Sequence, residues 1–361
     1  MTIPVPPYIQ AIHPYVPGKP VEEVERELGL RNSVKMASNE NPLGPSPRAV
    51  EALRNFLDRI HIYPEGSGFY LCRALAERLS VAPAQVVLGN GSVELVEMAA
   101  RAFLNREASA VFSRGSFAMY PIACQVVDAP FTAVPMRERN HDLGALLGAL
   151  TERTRLVILD NPINPTGRYV PRKDLVAFLE RVPERVLVIV DEAYKEYARA
   201  PDYGTVVDLI PRFPNLMVLG TFSKAYGLAG LRVGYGAASE GVAAILHKVR
   251  SPFNTSSAAQ TAALAALSDE AFVREAVALN ARELPRLKAG CEALGLTVTP
   301  SEANFLLVDV PGEARAAFDA LLREGVIVRP LNGYPNSLRV SVHTPEGNDR
   351  FLEAARKVFL R

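Results

Sequence analysis

At 361 residues the chain is long for one compact core and suits two domains. Its 48% hydrophobic and 22% charged residues are ordinary for a soluble globular protein, and its net charge of +1 gives no field to attract nucleic acid or an anionic membrane. No apolar run approaches the roughly 18 residues that span a bilayer, and the N-terminus lacks the basic-then-apolar order of a secretory leader.

The first 45 residues are rich in Pro, with one short helix expected over residues 21–30. Amphipathic spacing predicts helices over 49–60 and 69–80. Short apolar runs at 85–88, 110–112, 156–159, 186–190 and 216–219 then read as buried strands. Helical stretches at 94–103, 173–181 and 238–249 fall between them. This alternation predicts an α/β fold with a mostly parallel central sheet covered by helices. After about Pro252 the rhythm changes. Helices are expected over 256–267, 270–294, 315–323 and 348–360, with strands at 297–299, 305–308, 327–329 and 337–342. The expected division is a large domain over residues 46–255 and a smaller α+β domain made of 1–45 and 256–361. The three cysteines, Cys72, Cys124 and Cys291, form neither a disulfide framework nor a metal pattern. They point to a reducing cytoplasm and to no metal.

Four patches could carry chemistry, each at the end of an expected buried strand, where open α/β sheets bind ligands. The first is Gly89-Asn90-Gly91-Ser92-Val93-Glu94, whose glycines and helix-opening amides suit a phosphate. It could equally be an ordinary strand-to-helix turn with Ser92 as N-cap. The second, Asp160-Asn161-Pro162-Ile163-Asn164-Pro165-Thr166-Gly167, is a rigid turn or a loop offering amide side chains. The third, Asp191-Glu192-Ala193-Tyr194, puts an acid at the end of a very apolar strand. The fourth runs from Gly220 through Thr221, Ser223 and Lys224 to Arg232. Most lysines are solvated surface residues, and of the eight here only Lys224 sits among hydroxyls and glycines with an arginine nearby. Schiff-base chemistry needs such neighbours to depress the amine's pKa.

In this order and spacing the four patches resemble the fold-type I pyridoxal-phosphate-dependent aminotransferases, over nearly the whole chain. The segments His13-Pro14-Tyr15-Val16-Pro17-Gly18-Lys19, Ala37-Ser38-Asn39-Glu40-Asn41-Pro42, Tyr63-Pro64-Glu65-Gly66 and Ser301-Glu302-Ala303-Asn304-Phe305 are similar to the histidinol-phosphate branch of that family. The resemblance implies pyridoxal 5'-phosphate as cofactor, held by Lys224 as a Schiff base, with Asp191 facing the pyridine nitrogen. Asn164 and Tyr194 would hydrogen-bond the ring's phenolic oxygen, and Phe117 would stack on the ring. The phosphate cup would be Gly91, Ser92, Val93, Thr221, Ser223 and Arg232, joined by Tyr63 from the other subunit of a homodimer. Arg339 would bind the donor's acidic group, with Tyr15, Asn164 and Arg329 as further substrate contacts.

Two departures stand out. Val93 replaces an acidic residue that many relatives carry, and Phe117 lacks the hydroxyl of the usual Tyr. The implied reaction is amino transfer between L-histidinol phosphate and 2-oxoglutarate, in histidine biosynthesis. An aromatic amino acid aminotransferase and a threonine-phosphate decarboxylase of the same branch are the alternatives. A nicotinamide-binding protein would want a third glycine after Gly91, and a DNA-binding regulator would want a basic patch; the chain has neither.

Overall fold

The computed structural model describes residues 3–15 and 17–360, so Val16 of the opening motif lies outside the described residues. The helix Val21–Leu28 stops at Gly29, which takes the left-handed conformation, and leads into β1 (Val34–Lys35). Seven strands follow: β2 (Val86–Gly89), β3 (Ser109–Ser113), β4 (Phe131–Val134), β5 (Thr154–Asp160), β6 (Leu187–Asp191), β7 (Leu216–Thr221) and β8 (Gly234–Ala238). They make one sheet in the order β2-β8-β7-β6-β5-β3-β4. From β7 to β4 every pairing is parallel, while β8 runs antiparallel to both its neighbours. The expected mostly parallel sheet is borne out.

Alternation within the central strands explains why they read as unbroken apolar runs. In β5, Leu156 and Ile158 join one core cluster while Val157 and Leu159 join another. In β6, Leu187 and Ile189 face the first cluster, and Val188 and Val190 the second. Both faces of the sheet are therefore covered, and each strand needs apolar residues at every position.

Two strands of this sheet have no such run and were not expected. β4 lies at the sheet edge and is partly exposed. β8 is Gly-Tyr-Gly-Ala-Ala, a weak strand former. Its glycines answer to packing: a Cβ on Gly234 would lie 2.6 Å from the backbone nitrogen of Ser92. Glycine there lets the start of the helix Gly91–Phe103 settle against the strand.

The chain then adds β9 (Thr297–Thr299), β10 (Phe305–Asp309), β11 (Val326–Ile327), β12 (Arg329–Leu331) and β13 (Tyr334–Ser341). Four of these form an antiparallel sheet, β12-β13-β10-β9. β1 pairs in parallel with β11, and Val34 and Met36 share a core with Leu306, Leu338, Val340 and Phe351. The N-terminal segment is thus stitched to the C-terminal sheet. The alanine-rich helix Ser257–Leu267 packs instead with Leu71, Leu75 and Phe222, beside the large sheet.

Candidate active site

Parallel strands end on one edge, so Asp160, Asp191 and Thr221, the last residues of β5, β6 and β7, come together. Asp160 and Asp191 are paired in register. These strand ends wall a cavity of roughly 180 Å³ whose lining includes Gly91, Ser92, Val93, Phe117, Asn164 and Lys224. Tyr15, Phe117, Asn164 and Arg339 also line a wider groove of about 1060 Å³, so the cavity opens into it.

Lys224 follows β7 by three residues, and its Nζ donates to the backbone oxygen of Ser38 at 3.0 Å. Burial, and then the charge of Arg339, lower its pKa to about 7. A large fraction of the amine is therefore uncharged near neutrality and able to act as a nucleophile. Asp191 moves in the opposite direction. Burial raises it to about 7, the charge of Asp160 adding to the effect against the bond that Ala193 N–H donates to Oδ1 at 3.1 Å. A carboxylate so placed favours a cationic partner.

Arg339, on β13, is 7% exposed. Its two terminal nitrogens donate to Asn164 Oδ1 at 2.6 Å and to the Ala37 backbone oxygen at 2.7 Å. Its Nε is buried with no hydrogen-bond partner, and no carboxylate pairs with it, among the described residues. Buried cations are ordinarily paired, so an anionic ligand suits this one. Asn164 spends its side-chain oxygen on Arg339, which leaves its amide NH₂ to donate. Tyr194 accepts from Asn39 Nδ2 at 3.0 Å and keeps its own hydroxyl proton to donate. Its ring stands edge-on to Phe305, with centroids 5.1 Å apart.

At the other end of the cavity, Gly91 opens the helix with φ +75°, and a Cβ there would collide with the Arg232 guanidinium. The glycine thus lets Arg232 lie over the helix N-terminus. That guanidinium donates to Ser223 Oγ and to the Asn90 backbone oxygen, both at 3.3 Å. The N-cap is Asn90 and not Ser92, which lies inside the first turn. Backbone amides, hydroxyls and an arginine around one spot make an anion cup.

A family model for aminotransferase class I and II matches residues 31–354. The chain belongs to this family. It is 51% identical over 359 residues to histidinol-phosphate aminotransferase 2 of Pseudomonas fluorescens (strain Pf0-1), a match covering 98% of this chain and 97% of the relative. The like-named protein of Pseudomonas aeruginosa is also 51% identical, over 98% of this chain and 96% of its own. Among solved structures, the histidinol-phosphate aminotransferase from Sinorhizobium meliloti in complex with pyridoxal-5'-phosphate superposes with a TM-score of 0.91 at 31% identity. That match covers 98% of this chain and 97% of the other. The resemblance read from the sequence, to fold-type I aminotransferases and their histidinol-phosphate branch, is borne out.

Within this aminotransferase the cavity gathers every residue expected at the cofactor except Tyr63, together with Tyr15 and Arg339. Tyr63 is 79% exposed and stacks on Phe253 with centroids 4.8 Å apart. Arg329 lies in the wider groove, its guanidinium 5.2 Å over the Tyr15 ring. Phe117 is partly buried and stands edge-on to Tyr120. Five cavity residues, Ser38, Asn39, Tyr120, Asp160 and Ala193, had no role assigned from the sequence. Tyr120 is fully buried, with its hydroxyl 3.5 Å from Asp191 Oδ2. Asn39 and Asp160 sat within motifs already singled out, but only the fold shows that they reach the cavity.

Proposed function

We propose that the chain transfers an amino group between L-histidinol phosphate and 2-oxoglutarate, with pyridoxal 5'-phosphate bound at Lys224. The buried guanidinium of Arg339, which no carboxylate pairs with among the described residues and which faces the same cavity as Lys224, carries this reading. The residues present fit the cofactor: an amine of lowered pKa, a buried carboxylate seeking a cation, and an anion cup at the start of the helix Gly91–Phe103. Bound there, pyridoxal phosphate supplies a conjugated ring that takes up the electron pair left when the substrate loses its α-proton.

The chain's own groups do the rest. Asp191 sits where a ring nitrogen would be kept protonated. Asn164 and Tyr194 offer two donors to the ring's oxygen. Gly91, Ser92, Val93, Thr221, Ser223 and Arg232 would hold the phosphate, and Phe117 would lie against the ring. Lys224 would hold the cofactor, and its Nζ, an amine of lowered pKa, would serve as the base that moves the substrate's α-proton. Arg339 binds the acid group of either substrate, since its planar fork suits both carboxylate and phosphate. Tyr15 and Arg329 extend the anion-binding surface into the groove.

The site is completed by a second copy of the chain in this reading. Leu57, Ile60, Ile62, Tyr63, Phe69 and Tyr70 are all exposed, an apolar surface that a partner subunit would cover. Tyr63 then reaches the partner's phosphate cup. Residues 46–255 act as the large domain, and 1–45 with 256–361 as the small one. The chain's three cysteines are free and buried, in keeping with a reducing cytoplasm. No helix among the described residues is long and apolar enough to cross a membrane.

The test is a half-reaction panel, following the cofactor's visible absorption with histidinol phosphate, phenylalanine, aspartate and phosphothreonine. Histidinol phosphate should convert the cofactor fastest. A faster reaction with phenylalanine or aspartate, or carbon dioxide release from phosphothreonine, would sink the assignment of substrate.

A further inference from the structure

The register of β5 and β6 places Asp160 beside Asp191, so two carboxylates share one end of the cavity. Asp160 is 3% exposed. Its Oδ2 accepts the backbone N–H of Asn164 at 2.7 Å. Its Oδ1 is buried with no hydrogen-bond partner among the described residues. The imidazole of His141 stands 3.4 Å from that oxygen but is engaged elsewhere. Its Nε2 lies 2.9 Å from the Asp160 backbone oxygen and its Nδ1 2.7 Å from Ser113 Oγ. His141 is 7% exposed and so pins Asp160 to β3.

A buried carboxylate oxygen left unsatisfied is costly, and a second carboxylate beside it adds repulsion. The effect is visible on the neighbours. After burial, the charge of Asp160 is the next cause raising Asp191, and it also raises Tyr120. Besides His141, the titratable surroundings of the pair are Tyr120, Tyr194, Tyr334, Glu192 and Lys224, with Arg339 beyond them. Of these, Arg339 directs its two terminal nitrogens to Asn164 and Ala37, and Lys224 its amine to Ser38, so neither pairs with Asp160. A cation arriving next to Asp191 would meet the field of two acids.

We propose that Asp160, pinned by His141, is a positioning residue for the ring nitrogen: acting through Asp191, it strengthens the grip on a protonated ring and destabilises the cofactor-free protein. The proposal rests on the reading of Asp191 as the ring-nitrogen partner. It implies two shifts of opposite sign when the charge is removed.

Asp160→Asn keeps an oxygen for the Asn164 N–H and loses only the charge. The full-length protein is stripped of cofactor, melted, and titrated with pyridoxal phosphate, wild type beside variant. Cofactor-free D160N should melt at a higher temperature than cofactor-free wild type, yet bind pyridoxal phosphate about ten- to a hundredfold more weakly. Lower melting together with weaker binding marks a purely structural residue and overturns the proposal, as does unchanged affinity. Asp160→Ser removes the same charge should D160N not fold, and the same loss of affinity is expected. Wild type that fails to bind pyridoxal phosphate would overturn the underlying functional reading. Wild type that binds, beside a D160N that binds equally, would overturn only the role of Asp160.

Discussion

At the inner end of the cavity, Asp160, Asp191 and Thr221 terminate neighbouring strands, and the hydrogen-bonded register of a doubly covered sheet sets their spacing. At the outer end, Tyr15 belongs to an irregular N-terminal segment and is 47% exposed, while Arg329 opens a three-residue strand at the edge of the small sheet. The inner end holds two buried carboxylates side by side; the outer end offers a solvated groove lined by the cation of Arg329. The difference separates two tasks. In the proposed reading, chemistry common to all substrates is set by the rigid sheet, and discrimination among substrates falls to elements that can differ without disturbing it.

Substitutions should obey that division. Lys224→Ala, at the inner end, should reduce turnover about a thousandfold or more with every substrate, measured by single-turnover kinetics. Arg339→Ala, at the boundary, should lower kcat/KM about a hundredfold for both histidinol phosphate and glutamate, because a buried charged contact is lost to each. Arg329→Ala, at the outer end, should raise the KM for histidinol phosphate about tenfold and leave that for glutamate nearly unchanged. An equal loss for both substrates would erase the proposed boundary.

A smaller effect concerns pH. Asp191 has a pKa of about 7 in the folded protein, above its ordinary value, so the folded state keeps a proton that the unfolded chain has lost. Stability from this group therefore falls as pH rises from about 4 to about 7. Lys224 is lowered to about 7, so from there to about 10.5 the unfolded chain binds the extra proton and stability rises. The cofactor-free protein should melt lowest near pH 7, by a few degrees. Lys224→Ala should remove the rise on the alkaline side, and a profile identical to wild type would count against a strained amine.

Much of the inner end was legible in the chain. Apolar runs at every position marked β5, β6 and β7 because both of their faces are buried, and the motifs directly after them supplied Asn164, Asp191 and Lys224. β8 stayed hidden because its glycines answer to close approach of the helix Gly91–Phe103. Tyr120 looked like any core aromatic; its hydroxyl meets Asp191 across 71 residues of chain. His141 carries no local signal either, since only the packing of its loop against β3 and β5 brings it to Ser113 and Asp160. Outer-end residues were legible through resemblance alone, because an arginine in a short edge strand looks like any surface arginine.

The central claim is that Lys224 carries the cofactor, and borohydride reduction of the purified protein followed by peptide mapping tests it most directly. The account expects the pyridoxyl group on the peptide containing Lys224, with loss of the visible absorption band. Reduced protein with no adduct on Lys224, or with the adduct on another of the eight lysines, would contradict it.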